Sequence, residues 1–259
     1  MILTLDLGNT NLFIGVFDDD KLVATYRTHS DITKSSDNYS DIISMFLFQK
    51  GFKITDFEGA ILSSVIPSLN KSLVKAVEEL LNVKCLLVGQ KVKSGLQIKI
   101  DNPSELGADL VCDSIGAKNL YGYPCTIIDL GTATKYLAID DKGDFVGCVI
   151  TSGIKLSFDA LARNAALLMQ IDYEAPKNVL GRNSRDSLNS GAIYGTIAQI
   201  KEMSKMIDKE LGYNTKKIIT GGNSVLIKDY VGGGFIFDDT LILKGLLGIY
   251  RHHTKSMKK

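Results

Sequence analysis

Two stretches of this chain place a carboxylate, a leucine and a glycine at the end of an apolar, β-forming run. The first is Ile2-Leu3-Thr4-Leu5-Asp6-Leu7-Gly8-Asn9-Thr10-Asn11, and the second is Thr126-Ile127-Ile128-Asp129-Leu130-Gly131-Thr132-Ala133-Thr134. In each, hydroxyl and small side chains follow the glycine, and another strand-like run follows them. Glycine lets the backbone turn tightly and approach a ligand that any Cβ would obstruct. The next N–H groups and hydroxyls can then wrap the oxygens of a phosphate. Two such turns, half a chain apart, imply two related domains gripping one nucleotide from opposite sides. That arrangement suits phosphoryl transfer.

Transfer to an alcohol needs a base near the hydroxyl, charge neutralisation around the γ-phosphate, and alignment of the two. Asp109 is the candidate base. Asn102, Pro103 and Glu105 read as the N-cap, first and third positions of a helix, which puts Asp109 one turn in. The bland alternative is a solvated carboxylate with Asp113 one turn on, a like-charge pair that is mildly unfavourable unless compensated. Asp6 closes the first strand, where an unpaired carboxylate is costly to bury. It can cap its own glycine turn, orient phosphates through Mg²⁺, or do both. No Gly-x-x-x-x-Gly-Lys-Ser/Thr run is present, which excludes a P-loop.

The elements that must position these residues follow from pattern. Strands are expected at residues 2–5, 12–17, 22–28, 59–65 and 84–88, with helices at 38–50 and from Pro67 through Leu81. The second half repeats the theme with strands at 125–130, 136–139, 145–150 and 217–220. Its helices are expected at 154–168, 185–211 and 240–250. Strands first, then alternating strand and helix, argue for α/β domains with mixed sheets.

At 259 residues, 45% hydrophobic and 23% charged, the chain is large enough for two modest domains. A formal net charge of +1 gives no footprint for nucleic acid or an anionic membrane. No apolar run reaches the roughly 20 residues of a membrane span, and Asp6 interrupts the N-terminal apolar run, unlike a signal peptide. Cys85, Cys112, Cys125 and Cys148 lack metal-ligand spacing and read as buried free thiols of a reducing compartment. His29, His252 and His253 stand near no other candidate ligand, and residues 255–259 read as a frayed, solvated tail. A soluble, cytoplasmic protein is the expectation.

Taken in order, Asp6 to Asn11, Asn102-Pro103-Ser104-Glu105-Leu106-Gly107-Ala108-Asp109, Asp129 to Thr134, Ser187-Leu188-Asn189-Ser190-Gly191, Thr220-Gly221-Gly222 and Leu241-Ile242-Leu243-Lys244-Gly245-Leu246 make a composite pattern. Each piece is weak alone, but together the sequence resembles the type III pantothenate kinases over nearly its whole length. The resemblance implies two actin-like (ASKHA-type, ribonuclease H-like) domains, residues 1–101 and 102–259, with a nucleotide cleft between them. It also implies a cytoplasmic homodimer with the acceptor site near the dimer interface. Its reaction would be ATP-dependent phosphorylation of pantothenate, the first step toward coenzyme A, with Mg²⁺ and a monovalent cation, K⁺ or NH₄⁺.

Carried over residue by residue, the resemblance makes Asp109 the base and Asp129 the ligand of the monovalent cation. Asp6, Leu7, Gly8, Asn9, Thr10, Asn11, Leu12 and Phe13 would form the first phosphate loop, with Asp6 acting on Mg²⁺ through the phosphates. Thr132 would touch the nucleotide, and Gly107, Ala108, Asp109, Leu110 and Ser184 the acceptor. Thr220-Gly221-Gly222 matches a segment near the adenosine, although such glycines also make plain turns. Several positions depart from the family pattern. Leu110 stands where the family has an arginine, and Lys135 and Leu137 replace threonine and aspartate. Gly147-Cys148 and Ser152-Gly153 replace Gly-Gly and Pro-Gly. Ser184 replaces a threonine, keeps its hydroxyl, and would equally serve as a helix N-cap. Two alternatives therefore stand beside the kinase reading: a catalytically weak regulatory or ligand-sensing protein, and a kinase of another small alcohol.

Overall fold

A computed structural model describes residues 1–89, 91–164 and 173–258. Among them the chain forms two compact units, Met1–Leu96 with Asp101–Leu120 and Leu241–Lys259, and Gln97–Ile100 with Tyr121–Thr240. Packing thus groups two helices beyond residue 101 with the first sheet.

The first unit is built on strands β1 (Ile2–Leu7), β2 (Asn11–Asp18), β3 (Lys21–His29), β4 (Gly59–Ser64) and β5 (Cys85–Leu87), in sheet order β3-β2-β1-β4-β5. β1 runs antiparallel to β2 and parallel to β4. Alternation along β1 sends Leu3, Leu5 and Leu7 into one core. There they meet Tyr39, Ile43, Phe46 and Leu47 of helix α1 (Ser36–Gln49) and Leu69, Leu73 and Val77 of α2 (Pro67–Leu81). Ser35 caps α1 in a capping box with Asn38 at its third position, and Pro67 takes the first turn of α2.

The other face of β1 carries Thr4 and Asp6. Helix α6 (Leu241–Met257) lies there: a Cβ on Gly15 would sit 2.8 Å from Leu243, and one on Gly59 would strike the Tyr250 hydroxyl. Helix α3 (Ala108–Tyr121) crosses α6 at two glycines. A Cβ on Gly116 would be 2.7 Å from the Leu241 carbonyl, and one on Gly245 would overlap the carbonyl of Cys112. Only glycine permits that approach.

The second unit repeats the plan with β6 (Cys125–Leu130), β7 (Ala133–Ile139), β8 (Phe145–Ser152), β9 (Lys216–Thr220) and β10 (Phe235–Phe237). Its order, β10-β9-β6-β7-β8, is that of the first sheet read from the other edge. Again the central strand is antiparallel to the next in sequence and parallel to the fourth. Ile128, Leu130 and Tyr136 point into a core with Ile154 of α4 (Ile154–Asn164) and Ile193, Ile197 and Ile200 of α5 (Ser184–Leu211).

Several local expectations change. Asn102 does cap and Asn102 Nδ2 donates to Glu105 Oε1 at 2.9 Å, but they open one 3-10 turn, Pro103–Glu105, not the helix. α3 starts separately at Ala108, so Asp109 lies in its first turn. Asn183, not Ser184, caps α5, its side chain accepting from the Asp186 N–H at 2.8 Å. Residues 255–257 are the last turn of α6, not a frayed tail. β10 was not expected from sequence; it has only three residues. The end of the helix expected at 154–168 lies outside the described residues.

Candidate active site

In the first unit, Asp6 is half-buried near the end of β1, opposite Phe13 of β2 and Ser63 of β4. The turn that follows is held by its own main chain. The Gly8 N–H donates to the Asn11 carbonyl at 2.9 Å, and a Cβ on Gly8 would be 3.4 Å from that oxygen. Just past β3, Ser30 clamps the turn twice, its hydroxyl donating to Gly8 O at 2.6 Å and its N–H to Thr10 O at 2.9 Å. Asn9 and Thr10 are exposed at the tip, whereas Leu7, Leu12 and Phe13 are buried. A phosphate would therefore meet the polar tip and the main chain of 7–13, not the side chains of its leucines. The Arg27 guanidinium lies over the Phe13 ring at 3.9 Å, in cation–π contact.

α3 brings its carboxylates to the same face. Gly107 O accepts from the Val111 N–H at 3.2 Å, so the helix springs directly from Gly107. Asp109 is half-buried, and its Oδ1 accepts the Leu110 N–H at 3.0 Å. A Cβ on Gly107 would sit 2.5 Å from that oxygen, so the glycine leaves the carboxylate its room. Cys112 links the cluster. Burial pushes its thiol well up, and the negative charges of Asp6, Asp113 and Asp109 push the same way. Asp6 and Asp109 thus share one electrostatic neighbourhood within this unit. Asp113 is 2% exposed, so the reading of a solvated pair on an open helix face does not hold. Leu110 is also buried, at 6%. Ser184 is exposed at the start of α5, in the second unit.

The second turn carries a different arrangement. Asp129 faces Lys135 directly across the β6–β7 hairpin, and Lys135 Nζ is 2.9 Å from Asp129 Oδ2. The two side chains are only 12% and 18% exposed, respectively. On the other side, a Cβ on Gly221 would collide with Asp129 Oδ1; Gly221 has φ +88°, which only glycine adopts readily. Asn223 ties the turn down, its side-chain amide donating to Gly131 O at 2.9 Å and its N–H to Leu130 O at 2.9 Å. Gly153 donates to Thr132 O at 3.0 Å, leaving the Thr132 side chain exposed. The segment 220–222 is thus a tight support of the second turn.

A metal must find oxygen ligands in these surroundings. Among the described residues, no three His, Cys, Asp or Glu side chains converge on a metal position. Mg²⁺ does not require that, because it is commonly held by one or two carboxylates together with substrate phosphates and water. Asp6 fits such a role. A monovalent cation at Asp129 does not fit. The ammonium of Lys135 already sits on the carboxylate, and a second unit charge ~4 Å away would be repelled by about 4 kcal/mol at an effective dielectric near 20.

Sequence reasoning missed Ser63, the burial of Asp113 and the Lys135 pair. The cysteines also split: Cys85, Cys112 and Cys125 are buried, but Cys148 is exposed. His253 has a structural task, its Nδ1 accepting the Lys93 N–H at 3.2 Å.

Two five-stranded mixed sheets of the same order, each with a carboxylate-glycine turn after its central strand, define the actin-like α/β class. Solved structures agree at the level of fold. A Sinorhizobium meliloti protein described as a candidate 2-dehydro-3-deoxygalactonokinase superposes with a TM-score of 0.64 at 10% identity, covering 97% of this chain and 96% of its own. The activator of the 2-hydroxyisocaproyl-CoA dehydratase from Clostridium difficile, solved with bound ADPNP, gives 0.55 at 14% identity, with 99% and 97% covered. Within that class the sequence is more specific. The family model of type III pantothenate kinases matches residues 2–206. A type III pantothenate kinase of Agathobacter rectalis is 35% identical over 256 residues, 98% of either chain. The chain belongs to the type III pantothenate kinase family.

Proposed function

We propose that this protein transfers the γ-phosphoryl group of ATP to the primary hydroxyl of pantothenate, the first step toward coenzyme A. Family membership across the chain is the observation that carries this reading. Asp109 is the base: it takes the proton of the hydroxyl as the oxygen attacks the γ-phosphorus and ADP leaves. The Leu110 N–H on Oδ1 fixes how the carboxylate is turned, which serves alignment. The turn of residues 6–13 and Thr132 contact the nucleotide, and Gly107, Ala108, Asp109, Leu110 and Ser184 belong to the acceptor side. Mg²⁺ supplies charge neutralisation at the phosphates, with Asp6 as its protein carboxylate. Lys135 on Asp129 argues against K⁺ or NH₄⁺ as a further cofactor.

The proposal extends to a cytoplasmic homodimer with the acceptor site near its interface. No described helix is long and apolar enough to cross a membrane. It also treats residues 1–101 and 102–259 as copies of one unit, which the matching strand orders support. The test is a turnover assay with ATP, Mg²⁺ and pantothenate, with mass detection of 4′-phosphopantothenate. ADP release that ignores pantothenate, with no phosphorylated product, would overturn it.

A further inference from the structure

We infer that Lys135 is a built-in cation, taking at Asp129 the place of the monovalent ion that the family resemblance attaches to that position. Four observations converge. Asp129 and Lys135 are direct partners in the β6–β7 register, so both side chains leave the sheet on one face. Their 2.9 Å contact is largely shielded from water, with 12% of Asp129 and 18% of Lys135 exposed. The remaining carboxylate oxygen abuts Gly221, at a position where a Cβ would collide with it. Finally, two residues beyond Lys135 on the same face, where the family pattern has an aspartate, stands Leu137, which is fully buried and offers no second carboxylate.

The physical consequence concerns water and entropy. A mobile ion needs several oxygen ligands and must be recruited from solution, whereas a tethered ammonium brings three donors and is always present. It holds Asp129 neutralised beside the Gly131 turn whatever the salt. Nucleotide binding and phosphoryl transfer then proceed without K⁺ or NH₄⁺. The activity arm of this inference rests on the kinase reading above; the binding and stability arms do not.

The experiment compares the full-length protein with Lys135→Thr and Lys135→Met in choline, Na⁺, K⁺ and NH₄⁺ salts at equal ionic strength. Melting temperature, ADP affinity by calorimetry and pantothenate turnover are read in each. The wild type is expected to change by less than about 2-fold in affinity and turnover between salts, with an unchanged melting temperature. Lys135→Thr, which reopens the position, should lose about 10-fold or more in ADP affinity in choline and regain it in K⁺ or NH₄⁺. Lys135→Met, which fills the space without charge, should be weakened in every salt and not rescued. A wild type that gains tenfold in ADP affinity on adding K⁺ overturns the inference. So does a Lys135→Thr variant with wild-type affinity and melting in choline. Should the variants fail to fold, the wild-type salt series decides alone. If pantothenate is not turned over in any salt while affinity and melting behave as stated, the kinase reading falls and the built-in cation stands.

Discussion

Asp6 and Asp129 occupy the same place in two copies of one sheet, near the end of a central strand and two residues before a glycine. Across the hairpin, Asp6 meets Phe13, whereas Asp129 meets Lys135. Nearby thiols register the difference. Burial pushes Cys112 up and Asp6, Asp113 and Asp109 push the same way, while Lys135 works against the burial that raises Cys148. The two turns thus differ across their hairpins: Asp6 pairs in register with an aromatic residue, Asp129 with an ammonium 2.9 Å away. A scaffold duplicated in backbone need not be duplicated in side chains, and it is the Asp6 copy that groups with α3 and its candidate base.

The largest effect should come from the Asp6 copy. Asp109→Asn keeps shape and hydrogen bonding but cannot take a proton, so turnover should fall about 10²- to 10⁴-fold with ADP affinity nearly unchanged. Wild-type turnover in this variant would remove Asp109 from the chemistry. Next in size is a stability contrast between the twin carboxylates. Asp129→Asn strands the Lys135 ammonium, and breaking so shielded a pair should cost about 2–3 kcal/mol in urea unfolding. Asp6→Asn removes one of several like charges around Cys112 and should stay within about 1 kcal/mol. The comparison breaks if Asp6→Asn proves the more destabilising.

Much of this contrast was legible in the sequence, and part was not for identifiable reasons. Both turns announced themselves because a carboxylate and glycine closing an apolar run is a local signal. The hairpin register was also available in principle: a tight turn at Gly131-Thr132 that pairs Leu130 with Thr134 must pair Asp129 with Lys135. What hid it was the resemblance, which marks Lys135 as a departure from the family's threonine rather than a gain at the cation position. The bland alternative of a solvated Asp109 with Asp113 one turn on arises because helix spacing reveals a neighbour four residues away but not that Asp113 is 2% exposed. The caps failed by one step. Asn183 and Ser184 are both good N-cap residues, and only the φ/ψ of the folded chain chooses between them. β10 has three residues, too few for alternation to rise above background.

Leu110 gives a third, smaller test, again in the Asp6 copy. The family's arginine would carry its charge next to Asp109, yet the leucine here is 6% exposed. Leu110→Arg should lower stability by about 2 kcal/mol through burial of a charge and overpacking, while Leu110→Met, which conserves volume, should cost less than about 1.5 kcal/mol. Urea midpoints measure both. An arginine variant as stable as the wild type and binding pantothenate more tightly would mean that the acceptor side accepts the family residue after all.

The smallest expected effect probes the Asp129 copy directly, through Cys148. Of the four thiols it is the exposed one, so a thiol reagent added to the native protein should modify it first. Cys85 and Cys125, pushed up to about 12 by burial, and Cys112, also raised well above the usual thiol value, hold almost no thiolate at pH 8. The field of Lys135 lowers the Cys148 pKa against the burial that raises it. Replacing the ammonium by Lys135→Met therefore raises that pKa, reduces the thiolate fraction at pH 8, and slows labelling by about 2- to 5-fold, the scale of a charge interaction under 1 kcal/mol near a surface. Asp129→Asn should act in the opposite sense, because it removes the negative charge that offsets the lysine. Labelling rates that do not move in these two directions would mean that the Lys135 charge does not reach Cys148. The thiol would then report nothing of the charge that distinguishes the second turn from the first.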